Sequence, residues 1–234
     1  MNESELKDLL GMVSDKVKRA FKVKGPTPPI KFVEEIPDVA AFGYDIKGEG
    51  NCHIAVNPSY REAEYSVMQW GLSEEAAHFC HYRINFSLFK EGIEESERTD
   101  RKNNNRLLEI SNLSELVARI GGFYGGMVPP DHGGVIGVWE KIMETAKSKE
   151  EFDRKMKDPE YAQNISLISN RVWGAFLGDY IMNNMMAESG CLPSYELIRS
   201  LARVKTFREA TESVRGYAPN STGEIELVTE RFFN

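Results

Sequence analysis

Cysteine and histidine are scarce in this chain, at three and four among 234 residues. Cys52, Cys80 and Cys191 are widely spaced, odd in number and form no Cys-x-x-Cys pair. That excludes a disulfide framework and a cysteine zinc knuckle as organising devices. Long apolar runs are missing, so no membrane span is expected. Residues Met1 to Leu10 carry charges and lack the apolar region of a secretory signal, so the expected location is cytoplasmic. A basic face is missing as well. The net charge is -7 with acidic and basic residues interspersed, which argues against nucleic acid as a partner. The glycine-rich stretch 121–126 lacks Gly-Lys-Ser/Thr and follows a helical pattern instead of opening one, so it is not read as a phosphate loop.

The 41% hydrophobic content suffices for one large domain or two small ones with a real core. Leu6, Leu9, Leu10, Val13, Val17 and Phe21 recur at helical spacing, and Gly25 to Pro29 makes a stiff connector after them. Three strand candidates follow: Ile30 to Ile36, Ala40 to Ile46, and Cys52 to Val56. The flexible turn Lys47 to Asn51 joins the last two as a hairpin. Residues from about Glu62 to Phe89 read as helical, with Gly71 and Ser73 marking a candidate break. The charged, asparagine-rich stretch Lys90 to Asn105 reads as a solvated loop. A second helix is predicted from Arg106 to Ile120, stopped by the glycines that follow. The remainder reads as mainly helical, at Trp139 to Ala146, Asp158 to Ser189, Ser194 to Val204 and Thr206 to Val214. Trp173, Phe176, Tyr180 and Met182 to Met186 are expected to fill a core between C-terminal helices. The expected fold class is α+β, with a small N-terminal sheet packed on the two helices and a mainly helical C-terminal half. The expected division is an N-terminal helix over 1–24, a domain over 30–134, a helical subdomain over 135–216 and a tail over 217–234.

With so few histidines, His78 and His81 within one helical stretch are a concentration. At about 100° per residue, positions 74 and 78 sit about 40° apart and 81 returns to within about 20° of 74. Glu74, His78 and His81 therefore share one stripe, and Glu75 lies beside His78. A general base occupies such a flanking place when it serves a metal-bound water without ligating the metal. A third ligand must come from elsewhere. Glu115 is the leading candidate, on a helix whose apolar face (Leu113, Leu116, Val117, Ile120) should pack on the first. Glu109 is a weaker rival.

Each of these residues also has a plainer reading. Adjacent glutamates in a helix are usually a solvated face, and Glu115 suits an ordinary surface position or a favourable helix-start charge. His78 and His81 fit buried, hydrogen-bonded histidines, and Cys80 a small buried residue. His53 fits a surface position on its strand or a substrate contact. Tyr124 and His132 are candidates for polarising a substrate carbonyl.

The segment from about residue 30 to 121 resembles a gluzincin-type zinc metallopeptidase. That family places an edge strand before a His-Glu-x-x-His helix and completes the site with a glutamate on a following helix, often as Glu-x-x-Ala-Asp. Ala40 to Gly43 and His53 to Asn57 resemble its strands. Glu75 matches the catalytic base, His78 the second histidine ligand, and Glu115-Leu116-Val117-Ala118 the third-ligand motif. Glu74 stands in place of the first histidine, and Arg119 in place of the common aspartate. The resemblance implies a zincin-like fold. It also implies a metal-dependent hydrolase of peptidase type, with Glu74, His78 and Glu115 as ligands of zinc or another divalent metal. Peptide or protein would be the substrate, added as a strand along the edge near Cys52 to Asn57.

A Glu-His-Glu set carries two negative charges, which lowers the Lewis acidity left to activate water and shifts preference toward manganese or ferrous iron, with zinc still acceptable. The alternative reading is therefore a non-catalytic relative that keeps the scaffold as a binding or interaction protein. A weaker alternative is a carboxylate-bridged di-iron helical protein. It would use Glu75-Ala76-Ala77-His78 as one Glu-x-x-His unit, but such proteins need two, and the sequence holds no second.

Overall fold

The computed structural model describes residues 1–34, 36, 39–44, 52–98, 105–126, 192 and 194–215, with positions 151, 154, 155, 157, 158, 174, 175, 177–179, 181 and 182 between them. Helix α1 (Glu3–Phe21) opens the chain. Asn2 caps it through a reciprocal pair. The Glu5 N–H donates to the Asn2 side chain at 3.0 Å, and the Asn2 N–H donates to the Glu5 carboxylate at 2.7 Å. Lys22 stops the helix in the left-handed region, at φ 61. The stripe read from the sequence is the buried face, Leu6, Leu9, Leu10, Val13, Val17 and Phe21.

Strands β1 (Ile30–Phe32), β2 (Ala40–Tyr44) and β3 (Cys52–Val56) form one mixed sheet in the order β1-β3-β2. β1 runs parallel to β3, with Ile30 opposite Ile54. β2 runs antiparallel to it, with Phe42 opposite Ile54. The hairpin pairing follows the sequence, although β1 ends at Phe32, short of Ile36. The expected peptide edge near Cys52 to Asn57 is corrected, because β3 is the central strand and is paired on both sides. Its near-continuous burial fits that place.

A short 3-10 turn, Pro58–Glu62, is capped by Asn57 and leads to α2 (Tyr65–Ile84). Every residue of α2 from Gly71 to Tyr82 is buried except His78, which is partly so. Over that stretch the helix has no solvent face, because α1, α4 and β2 all pack on it. Gly71 does not break it. A side chain there would meet Val39 Cγ1 at 3.3 Å, so glycine serves packing. The break falls at Asn85. Its Nδ2 donates to the Val204 carbonyl at 2.8 Å, and its Oδ1 accepts from Lys205 Nζ at 2.7 Å.

Helix α3 (Phe86–Arg98) then runs through most of the segment expected to be a loop from Lys90. Lys90 and Glu97 are exposed and Lys90 pairs with Glu94 at 3.7 Å, while Leu88, Phe89 and Gly92 are buried. Charge density marked an amphipathic helix here, not a turn. Helix α4 (Asn105–Phe123) continues past Ile120, where glycines were expected to stop it. A Cβ at Gly121 would stand 2.6 Å from Phe21 Cε2 and 2.8 Å from Ala77 Cβ. This glycine lets α4 approach α1 and α2 closely.

Helices α5 (Tyr195–Leu201) and α6 (Phe207–Arg215) fall where sequence placed them. Arg199 Nε donates to the Ala20 carbonyl at 2.8 Å, tying α5 to the end of α1. One core holds Val17 and Phe21 of α1, Ala77 and Tyr82 of α2, Leu116 and Ile120 of α4, and Leu197 and Phe207 of the last helices. A second cluster joins the outer half of α1 to the sheet. Met182 is buried as expected. Trp173, Phe176, Tyr180 and the stretch from Asn183 to Met186 lie outside the described residues, as do Trp139 to Ala146 and the tail. No helix among the described residues is long and apolar enough to cross a membrane.

The Gly121 contact sets the spacing of three helices. Gly121→Val should destabilise the protein by about 1–3 kcal/mol through overpacking, read as a lower urea midpoint with an unchanged slope.

Candidate metal centre

The interface of α2 and α4 is the most extensive helix contact among the described residues. Glu74 and His78 stand one turn apart on α2, and Glu115 faces them from α4. One ligand-capable atom from each lies within 4.8 Å of the others. His78 Nε2 is 3.7 Å from Glu115 Oε1. On the other side of the ring, Nδ1 contacts the Ser114 hydroxyl at 3.0 Å. In the tautomer that donates from Nδ1 to Ser114, Nε2 would present its lone pair toward Glu115, as a metal ligand must. A hydrogen bond that orients a ligating imidazole commonly takes this form.

The glutamate pair is not a solvated face. Glu74 and Glu75 are both buried. Burial pushes the Glu74 carboxyl up to about 7, with Arg119 opposing and Glu115 adding to the shift. Burial also drives Glu75 well above the usual carboxylate range, followed by the charges of Glu74 and Glu115. The Phe42 backbone N–H of β2 donates to Glu75 and works against that rise. Glu75 thus links the polar face of α2 to the sheet.

Arg119 was singled out in the sequence only as a departure from a pattern. In the fold it lies one turn beyond Glu115 on α4, and its Nε stands 3.0 Å from Glu74 Oε1. The contact is an ion pair whose N–H is not aligned for a hydrogen bond. The guanidinium sits 4.7 Å above the Trp70 ring and its Nη1 is 3.8 Å from Asp179 Oδ2. The two departures, Glu74 for histidine and Arg119 for aspartate, are therefore partners in space. Asp179 was not foreseen. Burial pushes its carboxyl up to about 6 despite Arg119. A Cβ at Gly178 would lie 2.6 Å from Arg119 Cβ, so glycine at that position lets Asp179 come this close to α4.

The other candidates fall away from the triad. His81 is fully buried, with neither ring nitrogen hydrogen-bonded among the described residues, and it meets Phe89 edge-on at 5.1 Å. It shares an angular position with Glu74 but sits about 10 Å further along the helix axis, level with α3. Glu109 accepts from Arg106 Nη1 at 2.6 Å and from the Phe207 N–H at 3.2 Å. It caps α6 and is no rival ligand. His53 on β3 packs over Gly43 of β2. The Tyr124 hydroxyl donates to the Ser194 carbonyl at 3.2 Å. The Cys80 thiol is buried and pushed up by burial, as a small core residue would be. His132 lies outside the described residues.

Compared with known proteins, the chain matches no family model, no curated protein and no solved structure.

The isolated His81 has a measurable consequence. Burial, then the charges of His78 and Lys205, push its pKa down to about 3. The unfolded chain takes up the proton near 6.5, so the unfolded state binds more protons between those values. Stability from this group is fully present above about pH 6.5 and is lost as pH falls toward 3, by about 1.4 kcal/mol per unit. The buried carboxylates shift the opposite way, so the test is a difference. Urea midpoints at pH 7 and pH 5 should fall further apart on acidification for the parent than for His81→Leu.

Proposed function

We propose that this chain is a divalent-metal-dependent hydrolase of gluzincin-like design, peptidase in type, on a zincin-like α+β scaffold. The observation that carries this reading is the convergence of Glu74, His78 and Glu115 at the α2–α4 interface. The donor chemistry fits a metal ion, with one imidazole held by Ser114, one buried carboxylate and one partly buried carboxylate. Two carboxylates neutralise a dication, so manganese or ferrous iron suits the set alongside zinc. A cation bound there supplies Lewis-acid polarisation of a scissile carbonyl and eases removal of a proton from water.

The chain's own residues supply the rest. Ser114 fixes the ring of His78. Glu75 is buried and pushed well above the usual carboxylate range, and the positive charge of a bound dication would oppose that rise and favour the ionised form a general base needs. The Phe42 N–H holds its carboxyl in place. The strand at the edge of the sheet nearest this machinery, among the described residues, is β2, which packs on α2, and we assign the extended peptide to that edge instead of to β3.

A second reading has an observation behind it. The Glu74–Arg119 pair satisfies one carboxylate without any metal, as a non-catalytic binding relative of the same scaffold would. Metal content separates the two. Protein purified without affinity-metal columns should carry about one divalent ion per chain, and His78→Ala or Glu115→Ala should lose it. Glu75→Gln should lower kcat by at least about 100-fold while keeping the ion, measured by elemental analysis beside a peptide-cleavage assay. Metal-free protein whose stability ignores chelators would favour the binding relative. Turnover that survives Glu75→Gln would remove the mechanism.

A further inference from the structure

We propose that Arg119 is a built-in competitor of the metal for Glu74, so that cation uptake requires Arg119 to shift its partnership toward Asp179. This rests on the metal-site reading above and concerns its regulation. Glu74 Oε1 faces the Arg119 guanidinium at 3.0 Å, and the same carboxylate supplies a ligand atom within 4.8 Å of those of His78 and Glu115. One carboxylate therefore lies between a fixed cation and the place where a second cation would sit. Both side chains of the pair are about nine-tenths buried, at 10% and 7% exposure, so water does not screen the repulsion between the two cations.

Arg119 is also placed to yield. Its Nη1 lies 3.8 Å from Asp179 Oδ2, longer than a close ion pair, while Asp179 Oδ1 is buried with no hydrogen-bond partner among the described residues. A small swing of the guanidinium would close that distance and free Glu74. Stacking on Trp70 guides the movement, since the planar group can slide over the ring at 4.7 Å without losing its apolar contact. Asp179 is then the residue that draws Arg119 off, and Glu74 the residue released.

Two substitutions should move affinity in opposite directions. Arg119→Met keeps the stem against Trp70 and removes the charge, and should tighten metal binding by about 10-fold or more. Asp179→Asn removes the alternative partner and should weaken binding by about 10-fold. Calorimetric titration of the chelator-treated full chain with Mn²⁺ and with Zn²⁺ reads both, with near-ultraviolet circular dichroism reporting the fold. Binding by Arg119→Met where the parent binds nothing would support the competition in its strongest form. If the parent binds metal and both variants stay within about twofold of it, the competition is overturned while the metal site stands. If neither parent nor Arg119→Met takes up metal, the site and its competitor fall together. Should Arg119→Met not fold, Asp179→Asn decides alone, and unchanged affinity overturns the proposal.

Discussion

The packing of α2 on α4 is the constraint from which the rest follows. At one end of the interface Gly121 removes a side chain, so that the backbone of α4 closes on Ala77 and Phe21. Beside that contact, within about one turn of either helix, the residues are ionic, with Glu74 against Arg119 and His78 between Ser114 and Glu115. Close approach enforced by an apolar, glycine-spaced contact is what brings long polar side chains from both helices into one dry volume. Without it, Glu74 and Glu75 would lose the burial that raises their carboxyls.

That dry volume gives the polar groups their character. Four carboxyls (Glu74, Glu75, Glu115 and Asp179) gather around one guanidinium and one imidazole. Replacing a buried ion pair with apolar residues is often neutral or stabilising, so such a cluster is weak as a device for holding a fold together. Three of the carboxyls are pushed up by burial, and Arg119 opposes that rise at Glu74, Glu75 and Asp179.

How much of this was legible in the sequence depended on whether the signal was local. The stripe of α1, the three strands and the last two helices were readable because apolar periodicity and turn residues act over a few positions. The Glu74, His78 and Glu115 grouping was readable because helical geometry places residues one turn apart on one face, and a matching apolar face on α4 named its neighbour. Local rules failed where tertiary packing set a residue's meaning. The charges of Lys90 to Arg98 looked like a loop because the inward Leu88, Phe89 and Gly92 are few. Gly71 and Gly121 looked like breaks because the close neighbours that require glycine come from distant parts of the chain. His81 satisfied the angular rule yet lies too far along the axis. The pairing of Glu74 with Arg119 crosses two helices, and no spacing rule connects positions so far apart in the chain.

The joint at Asn85 has an architectural consequence. Between α2 and α3 the chain turns on an amide that is 3% exposed, and both ends of that amide are answered from residues 204 and 205. The turn between α5 and α6 thus acts as a clasp on a bend made 120 residues earlier. A chain cut before Val204 would lose the amide's acceptor and donor together with Phe207, Ala210 and Val214 of the same core, leaving an orphaned polar group beside it. Early and late parts of the chain are in this way stitched together at the end of α2.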